Sequence, residues 1–275
     1  MIDRLGIIDF RNIIRAIHET YDIDFSDYAL TSFKRRLETV LHNNNLNNAD
    51  ELITKIKEDQ KFFEIFLNDI AVDDTEMFRD PSLWKDLRDN WMPKIIKDDD
   101  FKIWFPDITS GEELYSLIIV LKEILLLDKV KIIATGISRK KMEIAQKGVF
   151  EQKQMEINIA NYKRMNGLFE LTKYFSTKNN KIHMDTSLLN GVTFLQHNFF
   201  KDKPPTKIKL IIYRNKMIYF NLPLQNKVLN VLHEILMPGG YLIIGVKESL
   251  NGFNNESKKF VAINEAERIY KKVIS

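Results

Sequence analysis

The sequence predicts an all-helical front followed by an α/β domain with a parallel sheet. Over residues 1–95, apolar side chains recur at three- and four-residue steps, as in IIDFRNIIRAIHETY, which is the spacing of amphipathic helices. After residue 100, strand patterns such as FKIWF alternate with helical patterns such as GEELYSLIIVLKEILLL. This alternation favours parallel strands joined by right-handed crossovers. We therefore predict a helical domain over 1–95 and an α/β domain over 96–275.

Turn and cap residues predict where the front helices begin and end. Ser26 is the candidate N-cap of the helix in SDYALTSFKRRLETVL, and Asn48 or Asp50 caps the next helix after an Asn-rich loop. The apolar segment QKFFEIFLNDIAV predicts a further helix. Pro81 stands at the start of the last front helix, where proline is tolerated, and Pro93 marks its end.

The α/β part continues with strands in KVKIIATGIS, KIKLIIYRN and YLIIGV, and with helices in RKKMEIAQKGVF and LPLQNKVLNVLHEIL. Pro238-Gly239-Gly240 predicts a turn before the last of these strands. Residues 151–197 interrupt the alternation. Within them, KIHMDTSLLNGVTFLQ reads as a hairpin of short strands, which predicts a small β insert.

Composition limits the class of protein. The chain has 275 residues, 44% of them apolar, which suffices for one large domain or two modest ones. No run approaches the roughly 18–20 apolar residues that span a bilayer, so we expect no membrane insertion. The N-terminus lacks the pattern of a signal peptide and cysteine is absent, which favours the cytoplasm. The five histidines are scattered, so we expect no metal site.

A ligand site is expected beyond the carboxyl ends of the parallel strands. Three such ends read DITSGEE, TGIS and RNKMIYF. None contains the glycine pattern of a dinucleotide site or the GK[ST] of a phosphate loop. The adjacent acids Glu112 and Glu113 instead predict a cationic ligand group, an amine or a sulfonium. Alternatively, the two acids only favour the helix N-terminus through its dipole.

Charge is unevenly distributed along the chain. Residues 1–95 hold 13 Lys and Arg against 19 Asp and Glu, whereas the remainder holds 28 against 19. Two ordinary solvated surfaces explain this pattern, and so does a basic face that meets an acidic partner. Nucleic acid is not the expected partner, because no basic run is interleaved with aromatic residues.

Several motifs occur together and in order: TEMFRDPSLW, SGEELYSL, ATGIS, HNFF, YRNKMIYFN and MPGGYLIIGVKESL. In this combination the sequence resembles the CheR family, the chemotaxis receptor glutamate methyltransferases, over nearly its whole length. The resemblance implies a class I, Rossmann-like domain that uses S-adenosylmethionine and releases S-adenosylhomocysteine. It also implies the all-α front, and in some members the β insert docks a peptide at the receptor tail.

The reaction implied by the resemblance is methyl transfer to a glutamate side chain of a chemoreceptor, which forms a methyl ester. Because the substrate carboxylate is the nucleophile, neither cysteine nor histidine is required. The resemblance implies that Arg79 and Tyr219 take part in catalysis. Arg79 is expected to bind a carboxylate, and Tyr219 is expected to line the methyl-transfer point. Cofactor binding is assigned to Asp73, Thr75, Arg79, Gly136, Asn198, Phe199, Arg214 and Asn215, together with one of Glu112 and Glu113, between which the sequence does not choose.

The sequence departs from the family mainly where the cofactor binds. Gly136 stands where the family commonly has an acid that grips the ribose hydroxyls, and FPDI replaces small residues before the GEE motif. Asp73 replaces an asparagine, and Lys209 and Tyr213 replace other family residues. A buried ligand hydroxyl that lacks its hydrogen-bond acceptor lowers the binding free energy by on the order of 1–3 kcal/mol.

Two interpretations of these departures stay open. The chain is an active methyltransferase in which Asp73 or Asp107 replaces the ribose acid, or it is a degenerate member that acts as a binding or scaffold protein. A nucleic-acid methyltransferase is disfavoured because the chain has no NPPY- or DPPY-type tetrapeptide. On the front helix SFKRRLETVL, Lys34, Arg35 and Arg36 form either a solvated face or a surface that captures an acidic receptor helix.

Overall fold

A computed structural model describes residues 5–70, 76–250, 253 and 259–273. The chain divides into two compact units. The helical unit consists of Met1–Val72 and Lys216–Asn230, and the sheet unit consists of Asp73–Asn215 and Val231–Ser275. The division therefore falls after residue 72 and not at the predicted residue 95, and the helical unit is discontinuous in sequence.

The helical unit is formed by α1 (Ile7–Tyr21), α2 (Leu30–Asn43), α3 (Ala49–Glu58), α4 (Gln60–Ile70) and the first part of a later helix. Asn48 is the N-cap of α3, since its side chain accepts a hydrogen bond of 2.9 Å from the backbone N–H of Glu51. The predicted cap Ser26 is wrong, because α2 begins only after Ala29. The preceding residues bridge to a distant segment instead, and the Ala29 N–H bonds the carbonyl of Tyr219 at 2.8 Å.

The remaining helices are α5 (Pro81–Asp86), α6 (Met92–Ile95), α7 (Glu112–Glu123), α8 (Arg139–Lys147), α9 (Met155–Arg164) and α10 (Leu222–Ile235). A π-helical turn, Leu87–Trp91, joins α5 to α6. Leu83, Trp84 and Leu87 lie in the same buried core as the apolar face of α7. This packing places α5 and α6 in the sheet unit, although their sequence reads as a continuation of the helical front.

The strands are β1 (Phe101–Phe105), β2 (Val130–Gly136), β3 (Val149–Glu151), β4 (Phe175–Lys178), β5 (Lys181–Met184), β6 (Val192–Gln196), β7 (Ile208–Ile212), β8 (Leu236–Ile243), β9 (Phe260–Asn264) and β10 (Ile269–Lys272). In the described residues, the main sheet has the order β6-β2-β1-β7-β8-β10-β9. Parallel pairing joins β6, β2, β1, β7 and β8. Beyond β8 the sheet continues with the antiparallel strands β10 and β9, and β9 forms the edge. The predicted parallel sheet is confirmed.

The predicted hairpin in KIHMDTSLLNGVTFLQ is wrong. Its first strand, β5, pairs antiparallel with β3 and β4 in a separate small sheet. Its second strand, β6, pairs in parallel with β2 at the edge of the main sheet. The small sheet therefore begins at β3 and ends at β5, and the end of the predicted insert 151–197 belongs to the main sheet.

A buried polar network joins α7, α9 and the π-helical turn. The Glu123 side chain is fully buried, accepts a hydrogen bond from the Tyr162 hydroxyl and lies 3.6 Å from Nη1 of Arg88. That Nη1 also donates to the carbonyl of Asn166 at 2.5 Å. Burial and the neighbouring Glu123 raise the pKa of Tyr162. Each buried charge thus has a partner, which is the condition for tolerating it in a core.

The described part of the chain contains no helix that is both long and apolar enough to cross a membrane.

Candidate functional site

Three distant motifs meet around Arg214, directly after β7. Its side chain is fully buried, and Nη2 lies 2.5 Å from Oδ2 of Asp80 in the FRDP motif. Nη1 donates a hydrogen bond to Oε1 of Glu113, in the first turn of α7. The guanidinium carbon lies 5.7 Å from the centroid of the Trp84 ring. We call Asp80, Trp84, Glu113 and Arg214 the Arg214 cluster.

The Arg214 cluster is electrostatically unbalanced. It holds one guanidinium against two carboxylates, so it carries one negative charge in excess and favours a cationic ligand group. Among the residues that the structure describes, the buried Nε of Arg214 has no hydrogen-bond acceptor. A guanidinium N–H in such a position suits a ligand carboxylate. The cluster therefore offers complementary groups to a ligand that carries both a cation and a carboxylate.

The backbone that carries Asp80 adopts an uncommon conformation. Phe78 and Asp80 have φ values of 55° and 59°, in the left-handed region that costs energy for residues with a side chain. Two side chains from other elements hold this segment. Oδ1 of Asn158 accepts from the Met77 N–H at 2.9 Å, and Oγ of Ser116 accepts from the Phe78 N–H at 2.8 Å. These bonds offset the strain and fix the position of Asp80.

The structure separates the roles of the two adjacent glutamates at the start of α7. Glu112 is buried, and its Oε2 accepts a hydrogen bond of 2.6 Å from the hydroxyl of Ser110. Glu113 points to Arg214 and keeps about a quarter of its side chain exposed, at 24%. Gly111 precedes them with a φ of 102°, which favours glycine. Glu113 is therefore the acid that takes part in the Arg214 cluster.

The end of β2 is closed by the turn that follows β1. The N–H of Ile108 bonds the carbonyl of Thr135 at 2.7 Å. A Cβ placed on Gly136 would lie 3.0 Å from the Ile108 carbonyl oxygen, which is tighter than most Cβ contacts. The neighbouring Asp107 has a φ of 56°. Gly136 and the FPDI sequence are thus linked departures, because a side chain at 136 would require the turn to shift by a few tenths of an ångström.

Aromatic residues form a layer at the same end of the sheet. The Phe199 ring lies between Trp104 of β1 and Tyr213 after β7, with 5.9 Å between centroids on each side. His197 packs edge-on against Trp104 and is buried, and neither ring nitrogen has a hydrogen-bond partner in the described part of the chain. Asn198 accepts a bond of 3.1 Å from the Phe200 N–H, which shapes the turn.

Asn215 is held by an acid that the sequence did not single out. Asn215 has a φ of 58°, and its N–H donates to Oε2 of Glu248 at 3.0 Å. The same oxygen accepts from the N–H of Gly245 at 2.6 Å. Glu248 is buried and fixes the segment that follows Arg214. Its sequence signal was the KESL ending of the last motif, where an acid follows five residues after the end of β8.

Comparisons with known proteins identify the family of the chain. The family model "CheR methyltransferase, SAM binding domain" matches residues 73–266, and "CheR methyltransferase, all-alpha domain" matches residues 8–71. The chain belongs to the CheR family. This confirms the predicted family, and with it the Rossmann-like domain preceded by an all-α domain.

Relatives of this CheR chain match it over most of both lengths. The chain is 31% identical to Putative methyltransferase Cher3 of Pseudomonas putida over 265 residues, which cover 96% of this chain and 97% of the relative. It is 26% identical to a chemotaxis protein methyltransferase of Borreliella burgdorferi, with 90% of each chain covered. It is 23% identical to the protein of that name from Listeria monocytogenes, with 88% and 90% covered.

The structure brings some of the predicted CheR site residues together and places others elsewhere. Glu113 and Arg214 meet, and Asp80 joins them although the sequence did not single it out. The carbonyl of Arg79 accepts a bond of 2.7 Å from Nε1 of Trp84, so its position is fixed next to the cluster. Tyr219 belongs to the helical unit. Asp73 and Thr75 lie outside the described residues.

The CheR domain implies S-adenosylmethionine, and the residues present fit its methionyl end. That end carries an ammonium, a carboxylate and the sulfonium. The excess negative charge of the Arg214 cluster suits the two cations, and the unpartnered Nε of Arg214 suits the carboxylate. At the position that the resemblance assigns to the ribose, Gly136 has no side chain to accept a hydrogen bond. The fit is therefore good at one end of the cofactor and altered at the other.

Proposed function

We propose that this chain transfers the methyl group of S-adenosylmethionine to a glutamate side chain of a chemoreceptor, forming a methyl ester. The observation that supports it is the Arg214 cluster, which joins the FRDP, GEE and RN motifs of the CheR family around one buried guanidinium. Names of relatives point in the same direction, since several are chemotaxis protein methyltransferases. We further propose that the protein acts in the cytoplasm, where receptor tails lie.

In the proposed reaction the protein positions the two reactants. It supplies no nucleophile, because the substrate carboxylate is the nucleophile. When bound, S-adenosylmethionine supplies a methyl group on a sulfonium, which is a good leaving group. Glu113 and Asp80 attract the cationic end, and Arg214 donates to the carboxylate. Arg79 is proposed to hold a carboxylate, and Tyr219 to line the transfer point. Holding two reactants in a reactive geometry supplies much of the acceleration of such a transfer.

Methyl ester formation can be measured directly. The chain is incubated with S-adenosylmethionine labelled in its methyl group and with the cytoplasmic fragment of a chemoreceptor from the same genome. We expect label on the receptor that base releases as methanol, because esters hydrolyse in base whereas methylated amines do not. Receptor variants with glutamine at the methylated positions serve as the control. Binding of S-adenosylmethionine without any base-labile label on the receptor would exclude the proposed reaction.

A second candidate function is a CheR-like binding or scaffold protein without methyl transfer. The observation that favours it is the closed end of β2, where the Ile108 carbonyl oxygen would lie only 3.0 Å from a Cβ at Gly136. Calorimetry with S-adenosylmethionine and S-adenosylhomocysteine separates the two candidates. Micromolar binding supports the enzyme, and no heat at millimolar ligand supports the scaffold.

A further inference from the structure

A groove runs along α1 in the helical unit, apart from any residue assigned to methyl transfer. Its volume is 510 Å³, and it lies between α1 and the segment from Asp24 to Leu30. On the α1 side it is lined by Ile7, Phe10, Arg11, Ile14, Arg15 and His18. These residues extend over eleven helical steps, or about 16 Å, which is about three turns.

The apolar residues of the groove follow the spacing of a helix–helix seam. Ile7, Phe10 and Ile14 are separated by three and four residues, as at the inner positions of a heptad repeat. Phe10 and Ile14 are buried and form the floor, whereas 53% of Ile7 remains exposed. Leu30 on the opposite wall is 40% exposed. The groove thus has one exposed aliphatic side chain on each wall, Ile7 and Leu30.

A basic stripe flanks this apolar floor. Arg11 and His18 are seven residues apart, at the heptad positions that pair with charges on a partner helix, and Arg15 lies between them. Within the described residues, Arg11 and Arg15 form no ion pair. His18 lies 3.8 Å from Asp22, and both side chains are more than half exposed, so this contact is weak. The positive charge of the groove therefore rests on Arg11 and Arg15, which outnumber Asp24, the one acid among the residues that line it.

We propose that this α1 groove docks a short amphipathic helix of a partner protein, with leucine-like residues on the seam and glutamate or aspartate along one flank. The apolar spacing selects a helix over an extended peptide, because the floor repeats with helical and not with two-residue periodicity. The basic stripe selects acidic flanking residues. The proposal does not depend on the proposed methyl transfer, since no residue of the groove takes part in it.

The test uses the full chain and three labelled peptides of about 14 residues, which is about four helical turns. The first has leucine at the seam positions and glutamate on the flanks, the second replaces each glutamate by lysine, and the third shuffles the first. Binding is measured by fluorescence anisotropy for the wild type and for the double variant Arg11→Glu/Arg15→Glu. The control is Lys57→Glu/Lys61→Glu, which changes the same charge at exposed positions of the same unit.

We expect the glutamate peptide to bind the wild type at least about tenfold more tightly than the other two, because both seam and charge must match. The double variant should lose that preference and bind the lysine peptide better than the wild type does. The control should behave as the wild type. Circular dichroism of both variants shows that the helices are retained.

Several results would overturn the proposal. If the shuffled peptide bound as tightly as the glutamate peptide, binding would depend on charge alone. If the lysine peptide bound as tightly as the glutamate peptide, binding would depend on apolar contact alone. Absence of binding by all three peptides would remove the helix-docking role. Binding to vesicles containing phosphatidylglycerol that is lost in Arg11→Glu/Arg15→Glu, without peptide binding, would assign the groove to a lipid surface instead.

Discussion

Arg214 is a fully buried cation whose two carboxylate partners come from distant parts of the chain. Replacing it by methionine would leave Asp80 and Glu113 facing each other without a cation. We expect Arg214→Met to lower the free energy of unfolding by about 3–5 kcal/mol, as for other broken buried pairs. Urea denaturation measures this loss.

Lys209→Met provides the matched control for Arg214→Met. Lys209 is also on the β7 segment, but it is partly exposed and only 3.9 Å from the exposed Asp98. We expect this control to lose about 0.5 kcal/mol or less. If Arg214→Met lowered the free energy of unfolding by less than about 1 kcal/mol, the two carboxylates of the cluster would have to be hydrated in the folded protein.

Two substitutions at Gly136 separate the effect of an added Cβ from the effect of an added carboxylate. Both Gly136→Ala and Gly136→Asp place a Cβ 3.0 Å from the Ile108 carbonyl, so we expect each to destabilise the fold by about 1–3 kcal/mol. We also expect no gain in affinity for S-adenosylmethionine from the aspartate, because its Cβ would already press against the turn. Thermal unfolding and calorimetry are the measurements. If only Gly136→Asp tightened binding by about tenfold, the turn would move and the ribose acceptor would simply be missing.

Residue identity predicted two members of the Arg214 cluster. The motifs that contain Glu113 and Arg214 were chosen from the sequence, and the structure brings both into one cluster. Asp80 and Glu248 were missed, because their roles depend on contacts across 134 and 33 residues that no local pattern encodes. The choice between Glu112 and Glu113 was also open, since it depends on which side of the helix start faces Arg214.

Among the elements, α2 shows that a basic sequence does not always give a basic surface. The Arg36 guanidinium lies 4.2 Å from the centroid of the Tyr219 ring, and its Nη1 donates to the carbonyl of Ile70 at 3.2 Å. Arg35 is exposed. Lys34, Arg35 and Arg36 were predicted to be either a solvated face or a receptor-capturing surface. Because Arg36 packs within the helical unit and Lys34 is half-buried, Arg35 is the residue of the three that is exposed.

Alanine substitutions separate these roles on α2. We expect Arg36→Ala to lower the free energy of unfolding by about 1 kcal/mol or more, because it loses both the ring contact and the hydrogen bond. Arg35→Ala should stay within about 0.5 kcal/mol of the wild type. If α2 captures a receptor helix, Arg35→Ala weakens capture without a change in stability. An equal effect of both substitutions on stability would contradict the packing described here.

The network around Glu123 predicts how stability changes in alkaline solution. Burial and the neighbouring Glu123 raise the pKa of Tyr174 to about 12, and they raise that of Tyr162 as well. Tyrosines of the unfolded chain ionise near about pH 10. Above that pH the unfolded state binds fewer protons than the folded state, so the free energy of unfolding falls as the pH rises from about 10 to about 12. Below about pH 10 this contribution is complete.

Urea denaturation at several pH values measures how the free energy of unfolding changes with pH. The substitution Tyr174→Phe removes the contribution of Tyr174 to that change. We expect the variant to show a shallower decline above about pH 10 than the wild type. An identical slope in the two proteins would mean that Tyr174 ionises in the folded state as readily as in the unfolded state.

Elements were predicted more reliably than their partners in the sheets. The strands β1, β2, β6 and β7 lie where their apolar patterns predicted, because a buried strand needs little more than local apolar residues. The pairing of β5 and β6 was predicted wrongly, since the two strands are adjacent in sequence but belong to different sheets. Sheet membership depends on which distant surface each strand covers, and periodicity does not carry that information.

For the whole molecule, the discontinuous helical unit has a consequence for cooperativity. The chain crosses the division after residues 72, 215 and 230, and the last crossing lies inside α10. A helix propagates order along its length because each residue adds a bond to the preceding turn. We therefore expect both units to unfold in one transition. The pattern LPLQNKVLNVLHEIL predicted this helix but not its division, because only long-range packing assigns residues to units.

Two probes test this cooperativity, since the three tryptophans, Trp84, Trp91 and Trp104, all lie in the sheet unit. Tryptophan fluorescence thus follows the sheet unit, whereas far-ultraviolet circular dichroism also follows the helical unit. We expect the two urea curves to coincide for the wild type. Asn230→Pro interrupts α10 at the division at a cost of about 3 kcal/mol and should separate them. If the wild-type curves were already separate, α10 would not couple the units; if the variant kept coincident curves, coupling would have to pass through another crossing.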